Sequence, residues 1–238
     1  MPTIINTLHR RRGTWVELFL DAGESIRLPI EQASGLSIGT LLDEERWAQL
    51  RRESDYYLLL DKALRLLGMR EHFALELRRK LALRSLDRAL VGRVLDTCRE
   101  CGYLDDARAA EYVTTQALLR GGIGRLKLRA TLKERGCPDD LLEQSLARFA
   151  ELCDEAEVIR VLLAARHKAF EHKRDQIREQ LEKREGIGPR KVRFVLRTKL
   201  GAVIGGYLYA RGFSGEDVNR AGRKLVDELL EGLDSDAD

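Results

Sequence analysis

From about residue 55 onward, apolar side chains return every three or four positions. Leu59, Leu60, Ala63, Leu64 and Leu67 form the first such row and predict a helix over residues 55–67. Glycines and Ser/Asp caps divide the next stretch of chain into further helices at 72–83, 88–101, 106–119, 125–135 and 139–151. The first thirty residues obey another period. Residues 15–20 (Trp-Val-Glu-Leu-Phe-Leu) are rich in β-formers, and Ile26, Leu28 and Ile30 alternate with Arg27 and Pro29. Asp21-Ala22-Gly23-Glu24 between these runs supplies a short turn, so the segment reads as a hairpin. Ile4, Ile5 and Leu8 offer a third strand ahead of a turn at Arg10-Arg11-Arg12-Gly13, and Asp43 with Glu44-Glu45 marks a helix start.

The helical rows repeat. Leu77, Leu81 and Leu95 recur 51 residues later as Leu128, Leu132 and Leu146. Leu128, Leu132, Gly136 and Leu142 recur 76 residues later as Ile204, Leu208, Gly212 and Val218. Each copy is a helix with i, i+4 leucines, a stop, a cap and a second amphipathic helix. One copy cannot bury its apolar face alone, so the copies should stack into an elongated array. The longer second spacing requires an insertion, which composition places near 168–193. The expected organisation is an N-terminal extension of hairpin and short helix at 1–53, then three-helix repeats at 54–104, 105–153 and 154–230. The last repeat carries the insertion, and an acidic tail closes the chain at 231–238.

Composition narrows the class. The chain has 238 residues, 14 aromatics and only 4 prolines, none between Pro29 and Pro138. With Leu, Ala, Arg and Glu abundant, it is expected to be mainly α, and neither mostly β nor disordered. Uncharged runs such as 200–210 are too short for a membrane span. The N-terminus has no apolar signal core, and four scattered cysteines make no secreted disulfide framework, so a cytoplasmic chain with reduced thiols is expected. Net charge is +3, yet residues 227–238 hold six acids and no base, leaving the remainder more basic than that sum implies. Of the 42 basic residues, 32 are Arg, whose planar fork suits phosphate or carboxylate. A codon bias toward Arg would produce the same excess.

Catalytic and cofactor chemistry finds little footing. Cys98-Arg99-Glu100-Cys101 has no second ligand pair at zinc spacing, so core packing is the plainer reading, with redox or metal binding the alternative. His167 and His172 are five apart, off the i, i+4 spacing of paired ligands, and read as surface residues. Gly121-Gly122-Ile123-Gly124 lacks both the preceding strand and the Gly-Lys-Ser/Thr of a phosphate loop, and reads as an inter-helix turn. Asp105-Asp106 and Asp139-Asp140 sit where caps belong. No nucleophile–base pair stands out, so no enzyme, cofactor or metal is expected.

Two basic regions remain. Residues 120–135 carry six bases against Glu134 alone, with Arg125, Arg129 and Lys133 on one helical stripe and Lys127 and Arg135 beside them. This is either a solvated face or a face for DNA phosphates or a partner's acids. Residues 166–197 hold eleven bases against five acids. The first half pairs Glu179 with Lys183 and Glu171 with Arg174, as an exposed, salt-bridged helix would. The second half contains Gly186-Ile187-Gly188-Pro189-Arg190-Lys191-Val192, with Arg193 and Arg197 after it. That run resembles the hairpin of a helix-hairpin-helix DNA motif, and an ordinary inter-helix turn is the alternative.

The helical motifs together resemble the RecX family. They are Arg70, Glu76-Leu77 and Lys80-Leu81, then Gly102-Tyr103-Leu104-Asp105-Asp106, then Gly124, Leu128, Leu132 and Gly136, and finally Arg211-Gly212-Phe213. Phe73 stands where the family usually has a helix-capping Ser, and Ala109 where it often has Phe. The resemblance implies tandem three-helix repeats in a curved molecule with a small N-terminal β-hairpin extension, acting as a regulator of the RecA recombinase. Family members bind along the groove of the RecA–DNA filament and usually damp its ATPase and strand exchange. The expected partners are therefore RecA on DNA, and single- and double-stranded DNA through the basic faces, for a chain acting as a monomer. The alternatives are a sequence-independent DNA-binding protein, with RecA effects indirect, and a helical protein–protein adaptor.

Overall fold

The computed structural model describes residues 3–10, 14–21, 23–183 and 188–235. It divides into two compact units, Met1–Ala109 and Ala110–Asp238. The first begins with an antiparallel sheet of β1 (Ile4–Arg10), β2 (Trp15–Leu20) and β3 (Ser25–Pro29), in that order. Val16 pairs with Leu28 and Leu18 with Ile26, so the period-2 residues of β2 and β3 share one buried face. The expected third strand is present, while Ala22 and residues 11–13 of the two turns lie outside the described residues.

That sheet packs on α1 (Glu44–Met69), a single helix where the sequence pattern suggests two pieces meeting near residue 53. Asp43 caps it, accepting a hydrogen bond from the Arg46 amide at 2.7 Å. No Gly or Pro interrupts residues 44–67, so nothing ends the helix where the apolar row pauses. The pause reflects a change of neighbour. Leu50 joins the sheet's core and the Ser54 hydroxyl accepts from the Arg27 amide at 3.2 Å, whereas Tyr56, Leu59 and Ala63 pack with the first repeat.

The first repeat continues with α2 (Ala74–Ala82) and α3 (Arg88–Glu100), which bury Leu77, Leu81, Val91, Val94, Leu95 and Cys98. Then follow α4 (Asp106–Arg120), α5 (Arg125–Arg135) and α6 (Asp139–Leu152), and after them α7 (Glu155–Ala165), α8 (His167–Glu182), α9 (Pro189–Tyr209) and α10 (Glu216–Ser235), four helices where three were expected because α8 is added. The apolar residues that recur at 51 and 76 positions are all buried: Leu77, Leu81 and Leu95, then Leu128, Leu132, Leu142 and Leu146, then Ile204, Leu208 and Val218. Gly136 is the left-handed C-cap of α5 at φ 86°, and Gly212, three residues past the end of α9, is left-handed at 84°. No helix among the described residues is long and apolar enough to cross a membrane.

The inserted segment is built into the fold rather than standing off it. Helix α8 places Phe170, Ile177 and Leu181 in the core of α7–α10, and only its outer face carries the expected pairs, such as Lys183–Glu179 at 2.7 Å. Arg174 does not pair with Glu171 as expected. It is buried, and it donates to the Leu229 carbonyl at 2.9 Å and to Asp175 at 2.8 Å. The last inserted residues, from Pro189 on, form the N-terminal end of α9.

Successive repeats are joined by caps that reach across them. The second helix of each of the first two repeats opens without a side-chain cap of its own, at Phe73 and Gly124. Asp106, from the first turn of α4, accepts from the Ala74 amide at 2.6 Å. Glu155, from the first turn of α7, accepts from the Arg125 amide. Ala74 and Arg125 are 51 residues apart, so the two caps are repeat-equivalent. Phe73 in place of a capping Ser therefore costs α2 little, because Asp106 supplies the acceptor.

Candidate interaction surface

The candidate residues divide between two helices of the second unit. On α5, Leu128 and Leu132 are buried, which fixes the rotation of the helix. Arg125, Arg129 and Lys133 then form one stripe beside the buried leucines, while Lys127 points to the opposite side. Arg129 is tied to Glu143 of α6 at 3.0 Å, and Arg135 is half-buried and engaged. The side chains of Arg125, Lys127 and Lys133 are exposed, with no carboxylate partner among the described residues.

The entry to α5 is locked to the turn after α9. The Gly124 amide donates to the Arg211 carbonyl at 2.8 Å, and the Leu126 amide to the Gly212 carbonyl at 3.1 Å. A Cβ on Gly212 would lie 2.2 Å from the Lys127 nitrogen, and one on Gly124 would lie 2.5 Å from the Gly212 oxygen. Two motif glycines, 88 residues apart, thus serve one close backbone approach, Gly124 against Gly212 and Gly212 against Lys127. Beside them Arg211 lies over the Tyr207 ring at 4.0 Å and Arg166 at 5.6 Å, with Phe170 edge-on to the same ring. Type and spacing alone do not single out Arg211 and Arg166; the aromatic four residues before Arg211 is the available signal.

On α9, Arg190, Lys191, Arg193 and Arg197 are exposed near the N-terminal end. Arg197 pairs with Asp227 of α10, and Arg193 is also engaged, whereas Arg190 and Lys191 have no acidic partner among the described residues. From Arg197 to Tyr209 is about 18 Å of helix at ~1.5 Å per residue. The α9 group therefore lies at the opposite end of that helix from the turn holding α5, and the nine residues form two patches. The hairpin expected around Gly186 and Ile187 falls outside the described residues; Gly188 and Pro189 are the N-cap and first residue of α9.

Three further motif residues, Arg70, Glu76 and Lys80, form a half-buried ionic network around the buried His72 in the first unit. Glu76 accepts from Arg70 and pairs with Lys80 at 3.2 Å. Lys80 also donates to Nε2 of His72 at 2.9 Å, and Nδ1 of His72 donates to the Arg70 carbonyl at 2.9 Å. An ammonium only donates and a carbonyl only accepts, so these partners require the neutral Nδ1–H tautomer. Burial is the main force lowering the His72 pKa, opposed by that backbone bond and by Glu76. Local pattern gives no hint of His72, which sits between motif positions. Cys98 is in the core and Cys101 exposed, and burial raises the Cys98 pKa. Among the described residues no group of three or more His, Cys, Asp or Glu is placed to hold a metal ion.

No family model matches the chain. It is 33% identical over 169 residues to the regulatory protein RecX of Halorhodospira halophila, covering 71% of this chain and 88% of that protein. The identity is 33% over 122 residues to the regulatory protein RecX of Chlorobaculum tepidum, 51% of this chain and 74% of that one. With the Deinococcus radiodurans regulatory protein RecX it is 41% over 125 residues, which spans only 58% of that protein's length. Among solved structures, a crystal structure of a regulatory protein RecX superposes with a TM-score of 0.51 over 97% of this chain and all of that one. At 14% identity, this is a likeness of fold.

Proposed function

This chain belongs to the RecX family, and from that premise we propose that it is a non-enzymatic regulator of RecA that binds the RecA–DNA filament and inhibits its ATPase and strand exchange. The observation that carries the reading is the set of exposed cations Arg125, Lys127, Lys133, Arg190 and Lys191, which form no ion pair among the described residues and lie on two patches of a helical unit. A cation held in an ion pair loses much of its pull on an outside anion, whereas these five side chains form none among the described residues. Two separated patches suit a partner that presents both protein and phosphate. The α5 patch is assigned to the filament, with Arg129 and Arg135 at its margin. The α9 patch, with Arg193 and Arg197, is assigned to DNA.

The test measures binding to bare DNA, to free RecA and to the assembled filament, together with RecA's DNA-dependent ATP hydrolysis. RecA from the same organism should respond at substoichiometric amounts, because a groove binder or end-capper acts on a polymer. The triple variant R125E/R129E/K133E should weaken filament binding, and R190E/K191E/R193E mainly DNA binding. Each lost phosphate contact should flatten the log–log salt dependence by about 0.9 on duplex or 0.7 on single strands. No effect on RecA up to equimolar amounts would overturn the regulator reading and leave a DNA-binding protein. Parent-like binding by both variants would reduce the two patches to solvated faces.

A further inference from the structure

Residues 190–199 of α9 hold five bases and no acid: Arg190, Lys191, Arg193, Arg197 and Lys199. Among them Phe194 is 70% exposed, although the next turn of the same helix buries Leu196 and Leu200 completely enough to anchor it in the α7–α10 core. Helical spacing puts Arg190 and Lys191 one turn before the ring and Arg197 one turn after it. The Thr198 hydroxyl donates back to the Phe194 carbonyl at 3.0 Å, so it does not compete for a ligand. Along the helix its exposed neighbours are Arg190, Lys191, Arg193 and Arg197, while Leu196 and Leu200 turn inward. That arrangement offers a flat face for stacking with cations on both sides along the axis, on a helix held rigid from behind.

Single-stranded nucleic acid has the matching chemistry, a flat base face with a phosphate on either side. A duplex keeps its base faces inside the stack and gives the ring nothing to cover. An apolar protein partner would be met by a cluster of exposed apolar residues, and here the neighbours are cationic. We propose that the N-terminal half of α9 is a single-strand-selective nucleic-acid site in which Phe194 stacks on an unpaired base while Arg190 and Lys191 take the adjacent phosphates. This rests on the assignment of the α9 patch to DNA and adds what kind of DNA it selects and by which residue.

The full chain is titrated by fluorescence anisotropy with a labelled mixed-sequence single strand of about 20 nucleotides, longer than one such site, and with the matching duplex. Phe194→Ala should weaken single-strand binding by about 5- to 150-fold, the range spanned by the stacking of one base. Duplex binding and the single-strand salt slope should not change, since stacking releases no counterions. Phe194→Leu, which keeps apolar bulk without a ring, should lose binding like Ala, and Phe194→Trp should bind as the parent does and gain a fluorescence quench on single strands. R190E/K191E should weaken both ligands and flatten the single-strand slope by about 0.7 for each lost contact. Parent-like single-strand binding by F194A or F194L overturns the stacking role while leaving the DNA assignment standing. An equal loss on duplex and single strand, or intact DNA binding with lost filament binding, also overturns it, the latter in favour of a protein contact. A parent chain that binds neither ligand removes the DNA assignment itself.

Discussion

Three glycines near the α9–α10 turn allow backbone strain and close packing to be separated in one experiment. Gly212 and Gly215 share a φ of 84°, but a Cβ on Gly215 meets nothing within 4 Å, whereas one on Gly212 meets the Lys127 nitrogen at 2.2 Å. Gly124 has an ordinary φ of −96° and its Cβ would meet the Gly212 oxygen at 2.5 Å. Gly215→Ala therefore carries only the left-handed penalty, about 1–2 kcal/mol. Gly124→Ala carries only the clash. Forcing the helix entry away would weaken the bonds from the Gly124 and Leu126 amides and leave buried polar groups short of partners, about 1–3 kcal/mol. Gly212→Ala carries both, about 2–5 kcal/mol, a large part of the stability of a small domain. Urea unfolding monitored by circular dichroism gives the three values, and hydrogen exchange at the Gly124 and Leu126 amides shows whether the α5 entry opens locally. Equal destabilisation by G212A and G215A, or a G124A variant within about 0.5 kcal/mol of the parent, would refute the interlock, since that is the scatter of an ordinary surface change.

Particular contacts carry further expectations. Asp106→Ala should cost about 1–2 kcal/mol by uncapping α2 from a neighbouring repeat, and Asp106→Asn, which keeps the acceptor, should recover much of it in the same denaturation assay. Because the His72 pKa is lowered on folding, the unfolded chain binds more protons between the two values; this stabilisation is complete above about pH 6.5 and is lost as pH falls toward the folded pKa, with Arg70 and Lys80 crowding the added charge. The slope of stability against pH below about 6.5 should accordingly flatten in His72→Gln. Deleting residues 1–53 should remove the β signal yet leave 54–235 helical, because Tyr56, Leu59 and Ala63 hold the rest of α1 to the first repeat; loss of the helical signal would show that the sheet is part of that core.

Most of the fold is legible in the chain, and some of the site. Helix periods, the Asp43 and Asp105 caps, the β pattern of residues 15–30 and the 51-residue repeat all rest on neighbours within a few positions, and the structure repeats them nearly residue for residue. The pattern splits α1 in two because its apolar row changes partners midway, from the sheet to the repeat, without any change in helix propensity. The basic residues stand out by type and spacing, but spacing is silent about what stands opposite. Whether Arg129 meets Glu143, Arg197 meets Asp227, or Lys133 meets only solvent depends on elements far along the chain. The same holds for His72, which lies unmarked between two charged motif positions until the packing closes over it. Gly124 and Gly212 are visible as motif letters, and their shared reason appears only where two backbones touch. A periodic pattern records which face of an element turns inward, since that depends on the element alone. Caps reaching across repeats, ion pairs and close approaches depend on which second element arrives there, and that is set by the packing of the whole unit.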